Sequence, residues 1–301
     1  MKTFVPQSAG LPTHNYTILD VFAERKYGGN QLAVVDDAGD LSSQKMQLIA
    51  REMGFSETTF ILSKEPRKGG YDVRIFTTSK ELPFAGHPSL GTAFVIQQDI
   101  VARKVRQVIL NLKYGPVPVE FDYQNGKPTN LWLNVKNPKI GKQVSPSTIA
   151  LLLGINRDDV DARFPAQIVT IGIPFVITPL RNLKALKRVR PNVDQFDKAG
   201  ITELLLFSPE ARDPANDLSV RFFSRTYGIH EDPATGSANA ALAAYLVKHR
   251  YFGKSKIDIR VDQGHEMNRP SLLRLKANVT SGQISVKVGG HVIKTGRGTL
   301  L

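Results

Sequence analysis

The chain has 301 residues, a net charge of +13 and no cysteine. That length suits two domains of ordinary size, with enough core to fold without covalent staples. The missing cysteines remove disulfide frameworks, thiolate metal sites, cysteine nucleophiles and paired-cysteine racemases together.

Residues 1–15 carry one lysine and no apolar run of signal-peptide length. Apolar stretches such as Ala238–Val247 fall short of the ~18 residues a membrane-spanning helix needs. The expectation is a soluble cytoplasmic protein with no membrane partner.

In chain order, strand-like runs at Tyr16–Ala23 and Gln31–Val35 flank the tight-turn sequence Tyr27-Gly28-Gly29-Asn30. Ser42–Met53 reads as a helix and Thr58–Leu62 as a strand. Asp72–Thr77 alternates as a strand, and Ser89–Gln97 follows as a small apolar helix. The stretch Tyr114–Pro138 is rich in Pro, Gly and Asn and contains strands Val117–Phe121 and Leu131–Val135; the interdomain linker is expected here. Helices are predicted at Ser145–Leu153 and Leu183–Val189, and strand-like runs at Gln167–Thr178 and Glu203–Phe207. Ser219–Ser224 is a strand, Ala238–Lys248 a second small apolar helix, and the tail runs Gln283–Val288 and His291–Leu301 are strand-like.

One pattern occurs twice. Asp72-Val-Arg-Ile-Phe-Thr matches Ser219-Val-Arg-Phe-Phe-Ser. Each strand leads through a polar loop (Thr78–Leu82, Arg225–Glu231) to Pro83-Phe-Ala-Gly86-His87-Pro88 or Pro233-Ala-Thr-Gly236-Ser237-Ala238, then to a helix. A repeat of half the chain is too long for a solenoid unit and implies two related domains. We place them at residues 1–125 and 126–289, with the tail 290–301 returning to the first and the active site between them. The fold class is α/β (α+β), each half a curved sheet wrapped around its central helix.

The basic residues are scattered. Their densest run, Arg181 to Arg190, alternates with Leu183, Leu186 and Val189 as a solvated helix face does. No nucleic-acid motif accompanies the charge, so no nucleic-acid partner is expected; the charge also suits an enzyme that gathers anions.

A glycine before a helix lets backbone N–H groups approach a ligand where the helix dipole is positive, which favours anions. Two such starts facing one cleft would hold a carboxylate between them. The plainer reading makes Gly86 and Gly236 tight helix starts with Ser89 and Ser237 as N-caps; the two copies together, each bearing titratable residues, favour the site. His87 follows the first glycine, and Asp232 and Ser237 flank the second. That asymmetry suits proton handling on two sides of a substrate. Glu57 is either an exposed strand-start residue or a general acid/base whose pKa is raised by burial among Phe55 and Phe60.

Other motifs fail. Gly86-His-Pro-Ser-Leu-Gly91-Thr92 has phosphate-loop spacing but no lysine. The six histidines are dispersed, without metal-ligand spacing, and no nucleophile elbow occurs.

The segments Phe55-Ser-Glu-Thr-Thr-Phe60, Glu81-Leu-Pro-Phe-Ala-Gly-His-Pro88 and Glu231-Asp-Pro-Ala-Thr-Gly-Ser-Ala238 resemble the phenazine biosynthesis PhzF-like family. Gly29-Asn30, Gln263-Gly264 and Val288-Gly-Gly290 extend the resemblance over almost the whole chain. It implies a diaminopimelate epimerase-like fold of two pseudo-symmetric domains. It also implies a cofactor-independent isomerase that moves a proton on a small cyclic or amino carboxylate, of the trans-2,3-dihydro-3-hydroxyanthranilate isomerase type, working as a homodimer. Glu57, His87 and Asp232 would be catalytic; Gly86, Gly236, Ser237 and Asn30 would bind the substrate; no metal or cofactor is implied. Asn268 departs from the family by standing where a glycine is usual before Arg269-Pro270, which points to an altered cleft rim or an altered choice of substrate. Amino-acid racemisation and a non-catalytic scaffold that retains the cleft are the alternative readings.

Overall fold

The computed structural model describes residues 13–225 and 231–301. The first twelve residues and most of the loop expected at 225–231 lie outside the described residues. No helix among the described residues is long and apolar enough to cross a membrane.

The repeat is one arrangement built twice. In the first half, strand Asn30–Val35 runs parallel to Glu57–Ile61, the helix Ser43–Met53 making the crossover. Glu57–Ile61 then pairs antiparallel with Tyr71–Thr77, and the chain turns into the helix Gly86–Val95. In the second half, Ile173–Pro179 runs parallel to Glu203–Ser208, which pairs antiparallel with Leu218–Ser224, and the helix Gly236–Lys248 follows. The registers coincide: Glu57 faces Thr77 as Glu203 faces Ser224, and Phe60 faces Arg74 as Leu206 faces Arg221.

Both Gly-led helices are sheathed by sheet. From His87 to Val95 every residue of the first is buried, and the second is buried along Ala238–Val247. A helix apolar on all sides belongs in a core. Small residues let the sheet close in: a Cβ on Gly91 would come within 2.4 Å of Leu32 Cδ2. The phosphate-loop-like spacing around Gly91 is therefore a packing feature, and Thr92 spends its hydroxyl on Thr59 Oγ1 at 2.8 Å and Pro88 O at 2.7 Å. The sheets are covered outside as well, by Met46 and Ile49 in the first half and by Leu152, Leu186 and Phe196 in the second. Burial on both faces explains continuous apolar runs such as Leu204–Phe207.

Several boundaries differ from expectation. The run Gln167–Thr178 is a hairpin, Ala166–Ile171 and Ile173–Pro179, folded at Gly172 with φ +71°. The expected linker is itself a hairpin: Gly115–Gln124 pairs with Gln107–Leu112, and Lys127–Lys136 pairs with Gln283–Gly290. The last strand, Val292–Leu300, lies antiparallel to His14–Val21. In the basic run Leu183–Arg188 is helical, burying Ala185 and Leu186 while Lys184, Lys187 and Arg188 face solvent, as the spacing predicts.

Candidate active site

The N-termini of the two central helices abut. A Cβ on Gly86 would lie 3.6 Å from Gly236 Cα, and one on Gly236 would lie 3.9 Å from Gly86 Cα. Neither helix has a side-chain cap: the cap residues are Ala85 and Thr235, so Ser89 and Ser237 are not N-caps. Ser89 instead donates to Ala85 O at 2.6 Å, and Thr235 turns its hydroxyl to Asp232. The outer helices starting after Ser42, Ser145 and Asn182 do carry such caps. First-turn N–H groups have no intrahelical partner, so the two starts present donors and positive dipole ends to one place. Phe22 wedges beneath them: buried, with φ +62°, it lays its ring against Gly236 and Gly290.

A cavity of about 350 Å³ opens at this junction. Glu57, Gly86, His87, Asp232, Gly236 and Ser237 all line it. Its apolar wall includes Leu82, Phe84, Ile173, Phe175 and Phe222, with Tyr114 at the rim, 73% exposed and packed against Phe84. Three larger hollows, two among exposed residues such as Arg250, Lys254, Lys256 and Lys139 and one beside Asp36, Asp99 and Arg297, bring no buried titratable group together.

Glu57 is the first residue of its strand, just past the helix that ends at Gly54. Burial, with the negative charge of Asp232 second, pushes its pKa up to about 8, so it holds a proton at neutral pH. The source of that burial differs from the sequence expectation. Phe60 packs with Met46 and Phe76 on the opposite face of the sheet, as a spacing of three along a strand requires. The walls of the cavity bury Glu57 instead.

His87 Nε2 lies 3.4 Å from Glu57 Oε2, yet neither atom has a hydrogen-bond partner. Burial pulls the histidine down to about 3, against a hydrogen bond to the Gln31 backbone that favours the charged form. At neutral pH the contact therefore joins a neutral imidazole to a carboxylic acid and is not an ion pair. With the other ring nitrogen committed to Gln31, Nε2 offers a lone pair to the proton on Glu57.

Asp232 is pushed up to about 6, chiefly by burial; hydrogen bonds from Thr235 and Asn30 oppose this and the charge of Glu203 adds to it. It is mostly ionised at neutral pH. Two carboxyl groups in one cavity with separated pKa values form an acid and a base set by environment.

Asn30 does not line the cavity. Its amide donates to Asp232 Oδ1 at 2.8 Å and to Ala234 O at 3.0 Å, so it positions Asp232 from across the molecule. Gln263 supports the same loop, donating to Asp232 O at 2.7 Å. Asn268 is also off the cavity wall: it ends a short 3-10 turn with φ +56°, a conformation asparagine tolerates best after glycine. The neighbouring Arg269 donates to Gly29 O at 2.8 Å and Asp20 at 2.6 Å, fastening the Gly28-Gly29 turn.

Sequence reasoning missed two features. Arg74 grips Glu81 through two bonds of 2.8 and 2.9 Å, and Arg221 grips Glu231 through two of 2.7 and 2.8 Å, bracing the loops before Gly86 and Gly236. Glu203, buried, also lines the cavity and accepts from Ser224 Oγ at 3.0 Å. Part of the signal was present: both arginines and the glutamates they grip, Glu81 and Glu231, fall at matching places in the repeat, whereas Glu203 lies upstream of it.

Residues 19–298 match the family model described as "Phenazine biosynthesis-like protein". The chain belongs to that family, the PhzF family, and is an isomerase of it. It is 36% identical over 292 residues to a trans-2,3-dihydro-3-hydroxyanthranilate isomerase of Pseudomonas fluorescens, covering 96% of this chain and 99% of the relative. An uncharacterised isomerase of Mesorhizobium japonicum is 32% identical, with 96% and 99% covered. Among solved structures, a PhzF-family phenazine biosynthesis protein of Bacillus anthracis superposes with a TM-score of 0.87 at 25% identity, covering 97% of this chain and 100% of that one. A hydroxyproline epimerase of Agrobacterium vitis superposes at 0.62 with 10% identity, over 96% and 91%, and shows the shared diaminopimelate epimerase-like fold.

Proposed function

We propose that this PhzF-family isomerase moves a proton within a small cyclic amino carboxylate of the trans-2,3-dihydro-3-hydroxyanthranilate type. The observation that carries the reading is Glu57: a carboxyl with a pKa of about 8 on the wall of a cavity into which two uncapped helix N-termini point.

The substrate carboxylate sits against the first-turn N–H groups at Gly86 and Gly236, with the Ser237 hydroxyl beside it. Those donors stabilise the charge that grows on the carboxylate as the adjacent carbon system loses a proton. Glu57 in its ionised form takes that proton, then returns it from the acid form to another carbon. A pKa near working pH makes one group competent in both directions. His87 Nε2 accepts from protonated Glu57 and keeps it aimed. Asp232, ionised and held by Asn30 and Thr235, orients the substrate and keeps Glu57 from ionising too readily. Every step is a proton transfer performed by the chain's own groups. The reading includes a cytoplasmic homodimer.

The test is conversion of trans-2,3-dihydro-3-hydroxyanthranilate in deuterated water, followed by NMR. Deuterium should enter the product at the reprotonated carbon with wild type and not with Glu57→Gln. Full turnover by a folded Glu57→Gln protein would overturn the reading.

A further inference from the structure

The second central helix starts after Thr235, and threonine is a residue that caps such starts well. A cap side chain accepts from the N–H two or three residues on, here that of Ser237 or Ala238. Thr235 has the extended backbone a cap requires, with φ −113° and ψ 94°, yet it makes no such bond.

Its hydroxyl is engaged elsewhere. Gln263, 1% exposed, ends the strand Lys256–Gln263. Gly264 follows at φ +80° and brings the strand end against the Asp232 loop; a Cβ there would lie 2.6 Å from Pro233 O. The Gln263 amide nitrogen donates to Asp232 O at 2.7 Å and to Thr235 Oγ1 at 3.3 Å. Its oxygen accepts from Thr235 N at 3.3 Å and from Asn239 Nδ2 at 2.8 Å. The neighbours fix which end is which, because a backbone carbonyl only accepts and a backbone N–H only donates. A hydroxyl that accepts from Gln263 keeps its one proton for Asp232 Oδ2. The oxygen that would cap the helix is therefore turned away from it, with an amide on its acceptor side.

The first half is an internal control. Asn111 pairs with Asp72 as Asp262 pairs with Ser219, so Leu112 is the counterpart of Gln263. The counterpart of Thr235 is Ala85. Where the cap residue has no hydroxyl, the neighbouring strand brings no amide. The amide stands only in the half with a hydroxyl to hold, and both helix starts reach the cavity uncapped.

We infer that Gln263 is a positioning residue: by holding the Thr235 hydroxyl it keeps the second helix start uncapped, so that its first-turn N–H groups are left for the substrate carboxylate. This rests on the proposed function and adds a residue and a role to that site. Gln263 itself does not line the cavity and acts through Thr235.

The test uses binding, not turnover. Calorimetry at neutral pH follows cyclohexanecarboxylate, which offers a ring and a carboxylate alone. Gln263→Leu, the residue the first half carries at that place, should weaken binding about fivefold, the worth of one N-cap set against the ligand. In a Thr235→Val background, with no hydroxyl to release, Gln263→Leu should change binding by less than about twofold. A glutamine that only supported the loop would weaken binding equally in both backgrounds. Gln263→Met serves if the leucine variant does not fold. Ligand-free crystal structures read the same inference directly: the Thr235 hydroxyl should face Asp232 in wild type and the N–H of Ser237 or Ala238 in the Gln263 variant. Glu57→Gln should lose turnover yet keep the difference between the two backgrounds, which separates this inference from the proposed reaction. No binding by wild type, unchanged binding in Gln263→Leu, an equal loss in both backgrounds, or a wild-type Thr235 that caps the helix would overturn the assignment.

Discussion

The two halves share a frame and differ in what the frame carries. Arg74–Glu81 and Arg221–Glu231 are the same bidentate brace, and each arginine also stacks on the phenylalanine two residues on, at 5.0 Å from Phe76 and 4.9 Å from Phe223. Immediately after the brace the halves part. Leu82 follows Glu81 where Asp232 follows Glu231, and His87 follows Gly86 where Ser237 follows Gly236. Among the titratable residues that line the cavity, only Glu57 and Glu203 repeat. Folding information is thus duplicated while the proton chemistry is divided: one half holds a neutral acid beside a neutral imidazole, the other an ionised carboxylate beside a hydroxyl.

The comparison breaks most sharply at Glu57. Glu57→Gln should lower kcat/KM by roughly a thousandfold, within the range for a general acid/base, in a steady-state assay with the folded variant. Wild-type activity should rise as pH increases through about 8, because proton removal requires the ionised group.

The braces come next. Arg221 is 6% exposed at its side chain and also donates to the carbonyls of Leu186 and Val189, so Arg221→Ala leaves Glu231 and two acceptors unpaired in the interior. Denaturant melts should show a loss of roughly 3–5 kcal/mol. Arg74 is 25% exposed, and Arg74→Ala should cost nearer 1 kcal/mol. Equal losses would show that the frame is more symmetric than burial indicates.

Stability also depends on pH through Glu57. Its folded pKa is raised from 4.5 to about 8, so its contribution is complete below pH 4.5 and is lost as pH rises to about 8. Glu57→Gln should therefore melt higher than wild type at neutral pH, by about 3 kcal/mol in stability, with the gap closing below pH 4.5.

The smallest effect separates the central helices. Gly91 and Ala241 hold matching positions, each five residues after its leading glycine. Gly91→Ala should cost about 1–3 kcal/mol by overpacking against Leu32, measured by thermal melts. Ala241→Gly should cost about 1 kcal/mol through helix propensity alone.

Much of this was legible in the chain. The repeat showed because strand alternation and the Pro-to-Gly approach to each helix are local features. Glu57, His87, Asp232, Gly86, Gly236 and Ser237 all reached the cavity. The central helices began earlier than predicted because a buried helix whose N-terminus faces a cavity has no need of the serine or asparagine that marks an exposed one. Asn30 belonged to a tight-turn sequence, and nothing local revealed that its amide would cross to Asp232. Glu203 looked like the polar edge of an apolar strand; only its pairing with Ser224 made it the partner of Glu57.

The hairpin Gly115–Lys136 has a mechanical consequence. One of its strands is bonded to the sheet of the first half and the other to that of the second, and the tail strand closes back on His14–Val21. Gaping of the halves would shear ladders of hydrogen bonds instead of swinging on a loose tether. The groups that an entering substrate meets at the rim are side chains, Tyr114 packed against Phe84, and an exposed side chain turns faster than domains move.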